Sequence, residues 1–178
     1  SALKLVNAAL NSGTIDGFFD GTQFVEDVPF AAATTYAFQT VGAHTLTFEA
    51  TSTAGAAIAS LQQTLESTSD ISVLVVGFPG AVQAIAFADD NLVPLAGACR
   101  VRFVNASSDN AAYDVYVGDT KQVSALAARS ASDYVTLVPA TYTFTFRDPA
   151  SGATVLTVAD QAIGEGRVAT FYAAGAVG

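Results

Sequence analysis

The chain has 178 residues, a net charge of −9, and 13% charged against 51% hydrophobic residues. Such acidity repels phosphate backbones and argues against nucleic-acid binding, while the apolar content exceeds that of disordered chains. One cysteine, Cys99, rules out an intramolecular disulfide, and one histidine, His44, leaves little with which to build a metal site or a catalytic triad.

In chain order, residues 3–8 read as a short apolar strand and Asn11-Ser12-Gly13 as a turn. Residues 14–19 and 22–28 read as two strands joined at Asp20-Gly21, a hairpin signal, with Pro29 ending the second. Further strands are expected over 35–39, 44–50, 57–65 and 71–76. The segment 57–65 is ambiguous, because Ile58, Leu61, Gln62 and Leu65 would also suit a helix. Residues 71–88 carry no charge and have the length of a bilayer span, but Gly77, Pro79 and Gly80 interrupt them, so they read as two strands and not a membrane span.

The same pattern then recurs. Val6-Asn7-Ala8 matches Val104-Asn105-Ala106, and Asp16 matches Asp114, each 98 positions on. Tyr36 with Tyr134, Phe48 with Phe146 and Gly77 with Gly175 keep this offset. A repeat of this kind implies two copies of one architecture. The expectation is an all-β protein of two tandem antiparallel Ig-like β-sandwich domains of about seven strands each, spanning 1–77 and 100–178. Residues 78–99 are expected to form a linker with an extra strand at 81–87, a strand the second copy is expected to lack.

Arg102-Phe103-Val104-Asn105-Ala106-Ser107, Tyr113-Asp114-Val115-Tyr116-Val117, Ser132-Asp133-Tyr134 and Ala140-Thr141-Tyr142-Thr143 together resemble the DUF4397 family. Phe87-Ala88-Asp89-Asp90-Asn91 before Pro94 and Gly97 is similar to the spacer between its tandem copies. The first copy departs at Gly17-Phe18, where Val-Tyr is usual, and the second has Gly118-Asp119 in place of Asp-Gly and Pro139-Ala140 where a Gly is common. The resemblance implies bacterial secreted or surface-anchored β-sandwich domains without an assigned activity, and it brings no catalytic residues. The absence of Met and Trp and the scarcity of Lys fit an exported surface protein. The opening at Ser1, with a strand two residues later, resembles a mature end left by signal peptidase.

Candidate chemistry is sparse. His44 shares a strand face with Leu46 and Phe48 and reads as a ring beside the core. Asp16 and Asp114 read as carboxylates that accept backbone N–H groups and fix a loop. Asp16 with Asn11, and Asp114 with Asp109 and Asn110, are also candidate calcium ligands, as are Asp89 and Asp90 in the linker, although the spacing fits no defined calcium loop. Asn105-Ala106-Ser107 matches a glycosylation acceptor, read as incidental, and Cys99 reads as inert or as an intermolecular crosslink. No nucleophile elbow, phosphate loop or zinc motif is present, so the chain is expected not to be an enzyme and to need no cofactor. The expected function is that of a structural, self-associating surface protein whose partners are its own copies or other cell-surface components. A filament built by strand addition is one form of this, with Val82, Ile85 and Phe87 as assembly residues. The alternative is a monomeric adhesion or ligand-binding module using the loops at the ends of the sandwich.

Overall fold

The computed structural model of the chain describes residues 1–109 and 111–176. Two units divide it, Ser1–Asp90 and Asn91–Gly178.

The first unit contains β1 (Ala2–Ala9), β2 (Ile15–Phe19), β3 (Thr22–Val28), β4 (Ala32–Ala33), β5 (Ala37–Phe38), β6 (Gly42–Ala50), β7 (Ala57–Leu65), β8 (Asp70–Gly77) and β9 (Gln83–Asp89), with one 3-10 turn at Thr51–Thr53. The segment 57–65 is therefore a strand, paired along its length with β6. One sheet runs β4-β1-β8-β9, with β5 beside β4 on the same edge of β1; the other runs β3-β2-β6-β7. The second unit repeats this order with β10 (Cys99–Ser107), β11 (Tyr113–Val117), β12 (Thr120–Leu126), β13 (Ser130–Ala131), β14 (Val135–Leu137), β15 (Ala140–Arg147), β16 (Thr154–Ile163) and β17 (Val168–Gly175). Its sheets are β12-β11-β15-β16 and one in which β10 carries β13 and β14 on one side and β17 on the other.

All-β sandwiches are thus confirmed, with one refinement. Every pairing is antiparallel except β1 with β8 and β10 with β17, which run parallel. The first and last strands of each repeat share a sheet, and the long excursion through the other sheet supplies the crossover that parallel partners need. β8 is buried from Ile71 to Gly77, which explains why it reads as an unbroken apolar run and not an alternating one. Leu3, Leu5, Ile15, Leu46, Phe48 and Val73 form the first core; Phe103, Tyr113, Val115, Phe144 and Phe146 form the second.

The expected linker at 78–99 is divided between the units. Residues 83–89 are β9, hydrogen-bonded antiparallel to β8 of the same chain from Val76↔Gln83 to Asp70↔Asp89. From Asn91 onward the chain belongs to the second unit. No helix among the described residues is long and apolar enough to cross a membrane.

The departures at the hairpins have a local explanation. In the first unit Asp20 (φ 47°) and Gly21 (φ 80°) are both left-handed, as a type I′ turn requires. With the order reversed to Gly118-Asp119, only Gly118 (φ 57°) is left-handed, as in a type II′ turn. Gly17 is small because Phe24 and Val25 occupy the space above it: a Cβ there would lie 2.8 Å from Val25 Cγ1 and 2.9 Å from the Phe24 ring.

Candidate functional site

The polar residues singled out by their repetition are structural clamps. Asp16 Oδ1 accepts the Asp27 N–H at 2.7 Å, and Asp114 Oδ1 accepts the Ala125 N–H at 2.8 Å. Asp27 (φ 52°) and Ala125 (φ 46°) are left-handed and lie where the β2–β3 and β11–β12 registers shift. Each carboxylate therefore holds a bulge in the neighbouring strand, rather than its own preceding loop. Lys121 forms an ion pair with Asp114, which holds that carboxyl below the usual range and lifts the lysine. Asp114 thus meets an ammonium group. Asp109 accepts the Ala111 N–H at 3.2 Å, and Asn110 lies outside the described residues.

Asp89 is engaged in a similar way. Its Oδ2 accepts Tyr36 Oη–H and Ser72 Oγ–H, both at 2.5 Å, and lies 3.8 Å from Lys4 Nζ. Lys4 also sits 4.7 Å over the Tyr36 ring, and the second unit repeats this stack with Arg102 and Tyr134 at 4.9 Å. Asp90 follows the end of β9 and is half-buried. Among the described residues, no three His, Cys, Asp or Glu side chains converge as a metal site would require.

His44 Nδ1 lies 2.7 Å from Asp20 Oδ2, while Asp20 Oδ1 accepts the Thr45 N–H at 2.8 Å. The Phe19 ring lies 4.3 Å from the imidazole. This pair fastens the β2–β3 turn to β6. The hydrogen bond that the ring donates to the Asp20 carboxylate raises the histidine pKa and lowers that of the aspartate. Cys99 is fully buried against the Leu137 carbonyl at 3.4 Å, and burial raises its thiol pKa. A buried, protonated thiol is a poor nucleophile and cannot reach another chain.

Asn7 and Asn105 were recognisable from the repeat, but their role was not. Asn7 Nδ2 donates to Gly13 O (3.1 Å) and Val28 O (2.9 Å), and its Oδ1 accepts the Ala9 N–H (3.0 Å). Asn105 does the same with Ala111 O (2.8 Å), Leu126 O (2.9 Å) and the Ser107 N–H (3.1 Å). Every partner is shifted by 98. Both amides have no exposed surface, so Asn105 is closed to glycosylation.

What distinguishes the units is a sheet edge. In the first, β9 covers β8, and Val82, Ala84 and Ala86 pack on the core beneath it. Of the expected assembly residues, Val82 is therefore committed to its own unit, while Ile85 and Phe87 sit on β9 opposite Leu74 and Ser72, half-buried. In the second unit no strand among the described residues pairs with the edge of β17 opposite β10. Only Ala173 of β17 is buried. A cavity of about 130 Å³ opens at the C-terminal end of β17, lined by Tyr113, Phe146, Val155, Leu156, Ala173 and Ala174, among others. Neither β17 nor β9 before Asp89 carries a charge or a proline. The opposite edges are cut into short pieces, β4 and β5 in one unit and β13 and β14 in the other, a common way of blunting an edge.

No curated protein matches the chain. A family model described as "Domain of unknown function (DUF4397)" matches residues 1–112 and again residues 100–178. Two matches, falling on two sandwiches of one topology, place the chain in the DUF4397 family as a tandem pair of its domains.

Proposed function

We propose that this is a non-enzymatic, extracellular structural protein that associates with copies of itself through sheet edges, in its fullest form as a filament subunit. One observation carries the reading: the position beside β8 is filled by β9, whereas the repeat-related position beside β17 takes no strand from the described residues. A bare edge presents a row of N–H and C=O groups that pair readily with another chain. Contacts of that kind are heterologous, and when the rotation does not close they build fibres. Support also comes from the polar residues, since Asp16, Asp114, Asn7, Asn105 and Asp89 are all occupied in holding strands and turns.

The test is electron microscopy of the purified protein over a concentration series, with light scattering alongside. Ordered filaments or concentration-dependent oligomers are the expected result. A monomer at every concentration would overturn self-association and turn attention to ligand binding at the loops.

A further inference from the structure

We infer that the face of sheet β12-β11-β15-β16 around Tyr116 and Arg147 docks on the acidic face of β2 and β3 in the first unit of a second copy. The inference shares with the proposed function only the self-association; it uses the faces of the sheets and not their edges.

The two units divide the charge unequally. The first holds one Lys or Arg and nine Asp or Glu, a net −8; the second holds six and seven, a net −1. Part of this difference falls on one repeated surface. Tyr113, Val115, Phe144 and Phe146 point into the second core, so Asp114, Tyr116, Thr145 and Arg147 stand on the opposite face of their sheet. The register sets Asp114 opposite Arg147, and Tyr116 between Thr145 and Lys121. Lys121 answers Asp114. The Asp148 carboxylate is turned into its own loop, where Oδ1 accepts the Ala150 and Ser151 N–H groups at 2.9 and 2.6 Å. Arg147 is left with the Tyr116 ring, whose centroid lies 4.1 Å from its guanidinium carbon, and it meets no carboxylate among the described residues. Its Nε is closed to solvent and finds no hydrogen-bond partner among them. A guanidinium stacked on an aromatic ring is already oriented, and its planar fork matches a carboxylate.

The occupant follows from the repeat. In the first unit, Glu49 stands in the place of Arg147, Gln23 in that of Lys121, Glu26 in that of Ser124 and Asp27 in that of Ala125. The strands β2, β3, β6 and β7 contain no Lys or Arg. Asp16 is buried and holds the Asp27 N–H, and Glu49 accepts the Gly55 N–H at 2.5 Å. Glu26 and Asp27, both exposed on β3, are the carboxylates placed to meet a partner. Each copy carries one surface of each sign, and the two are unlike, so pairing them joins copies head to tail. Complementary charge selects the partner and speeds the encounter.

The test uses Arg147→Glu and Glu26→Arg in the full chain. Sedimentation velocity is run on wild type, on each variant and on an equimolar mixture, with thermal unfolding as the control for folding. Alone, each variant sets like charges against each other, and its association should weaken about 100-fold or more. The mixture should assemble, because the two reversed surfaces complement each other and so do the two native ones. Wild-type assembly should weaken as salt rises from about 0.05 to 0.5 M. Arg147→Gln, which removes the charge without reversing it, takes the place of a reversed variant that does not fold, and should weaken association about tenfold. Assembly of a folded single variant as in wild type would overturn this contact and leave association through sheet edges standing. A mixture of folded variants no more assembled than either alone, or wild-type assembly indifferent to salt, would do the same. A monomeric wild type would overturn self-association itself, and this contact with it.

Discussion

The two units share a topology but fill it differently. Leu5, Ile15, Leu46 and Val73 in the first correspond to Phe103, Tyr113, Phe144 and Phe171 in the second. The rings interlock: Phe103 lies 5.3 Å from Phe144 and 6.0 Å from Phe146, and Phe144 lies 4.5 Å from Phe171. The aliphatic core has β9 beside it; among the described residues of the second unit no strand takes the corresponding place. Larger side chains supply from within much of the bulk that β9 adds from the edge. They do not reach the end of the sheet, where Ala173 replaces Val75 and the cavity remains. A repeat can therefore keep its strand order while its core is filled by different side chains.

The largest break in this comparison is Phe103→Ala, expected to cost about 3–5 kcal/mol because the ring is fully buried among others. Denaturant unfolding followed by a probe in each unit should show the second unit's transition moving and the first staying in place. Equal movement of both would mean that the units do not fold separately. Asn7→Ala and Asn105→Ala each strand one buried carbonyl, one part-buried carbonyl and one buried N–H, at about 2–4 kcal/mol per variant. The same midpoint assay should find the two costs alike, since the two networks are alike.

Gly77 and Gly175 should differ. Both have φ far positive (132° and 120°), but a Cβ at Gly77 would lie 2.5 Å from the Ala81 carbonyl in the turn into β9, while Gly175 has open space. Gly77→Ala should cost roughly 2–3 kcal/mol and Gly175→Ala about 1 kcal/mol, measured as midpoint shifts. Ala173→Val, which installs the first unit's residue at the cavity, should stabilise the second unit by about 0.5–1 kcal/mol. A loss instead would mean that the cavity is too narrow for the added methyl groups.

The smallest difference lies in pH dependence. His44 has a raised pKa, so its contribution is full below about 6.5 and is lost as pH climbs through the raised value. The Lys121 contribution, likewise raised, persists until pH passes above about 10.4. Asp20 and Asp114 are lowered, so both pairs weaken only as pH falls below about 3.9 through the lowered values. Titration from pH 6 to 9 should weaken the first unit alone, and His44→Gln should abolish that change. A matching loss in the second unit would break the assignment.

Much of this fold was legible residue by residue. The offset of 98, the turn at Asp20-Gly21 and the β-forming runs of β6 and β15 are local signals, and each marks a strand or turn where the structure has one. That the Asp16 and Asp114 carboxylates accept backbone N–H groups is legible from a short acidic side chain beside a turn, but their partners, Asp27 and Ala125 in the neighbouring strands, are not. Gly17 is small because Phe24 fills its space, a compensation between neighbouring strands that no single position announces.

Composition and local pattern by themselves determined an all-β chain in two copies, with one extra apolar strand between them. Period-2 burial and turn chemistry act over a few residues and need no knowledge of the rest of the fold. Only the tertiary structure decided that β1 and β8 run parallel, that the extra strand pairs with β8 of its own first unit, that Asp89 joins Lys4, Tyr36 and Ser72, and that β17 pairs with β10 in parallel. These are choices of partner between segments tens of residues apart. They are settled by which edges and volumes remain after the cores have packed, a competition written in no single stretch of sequence.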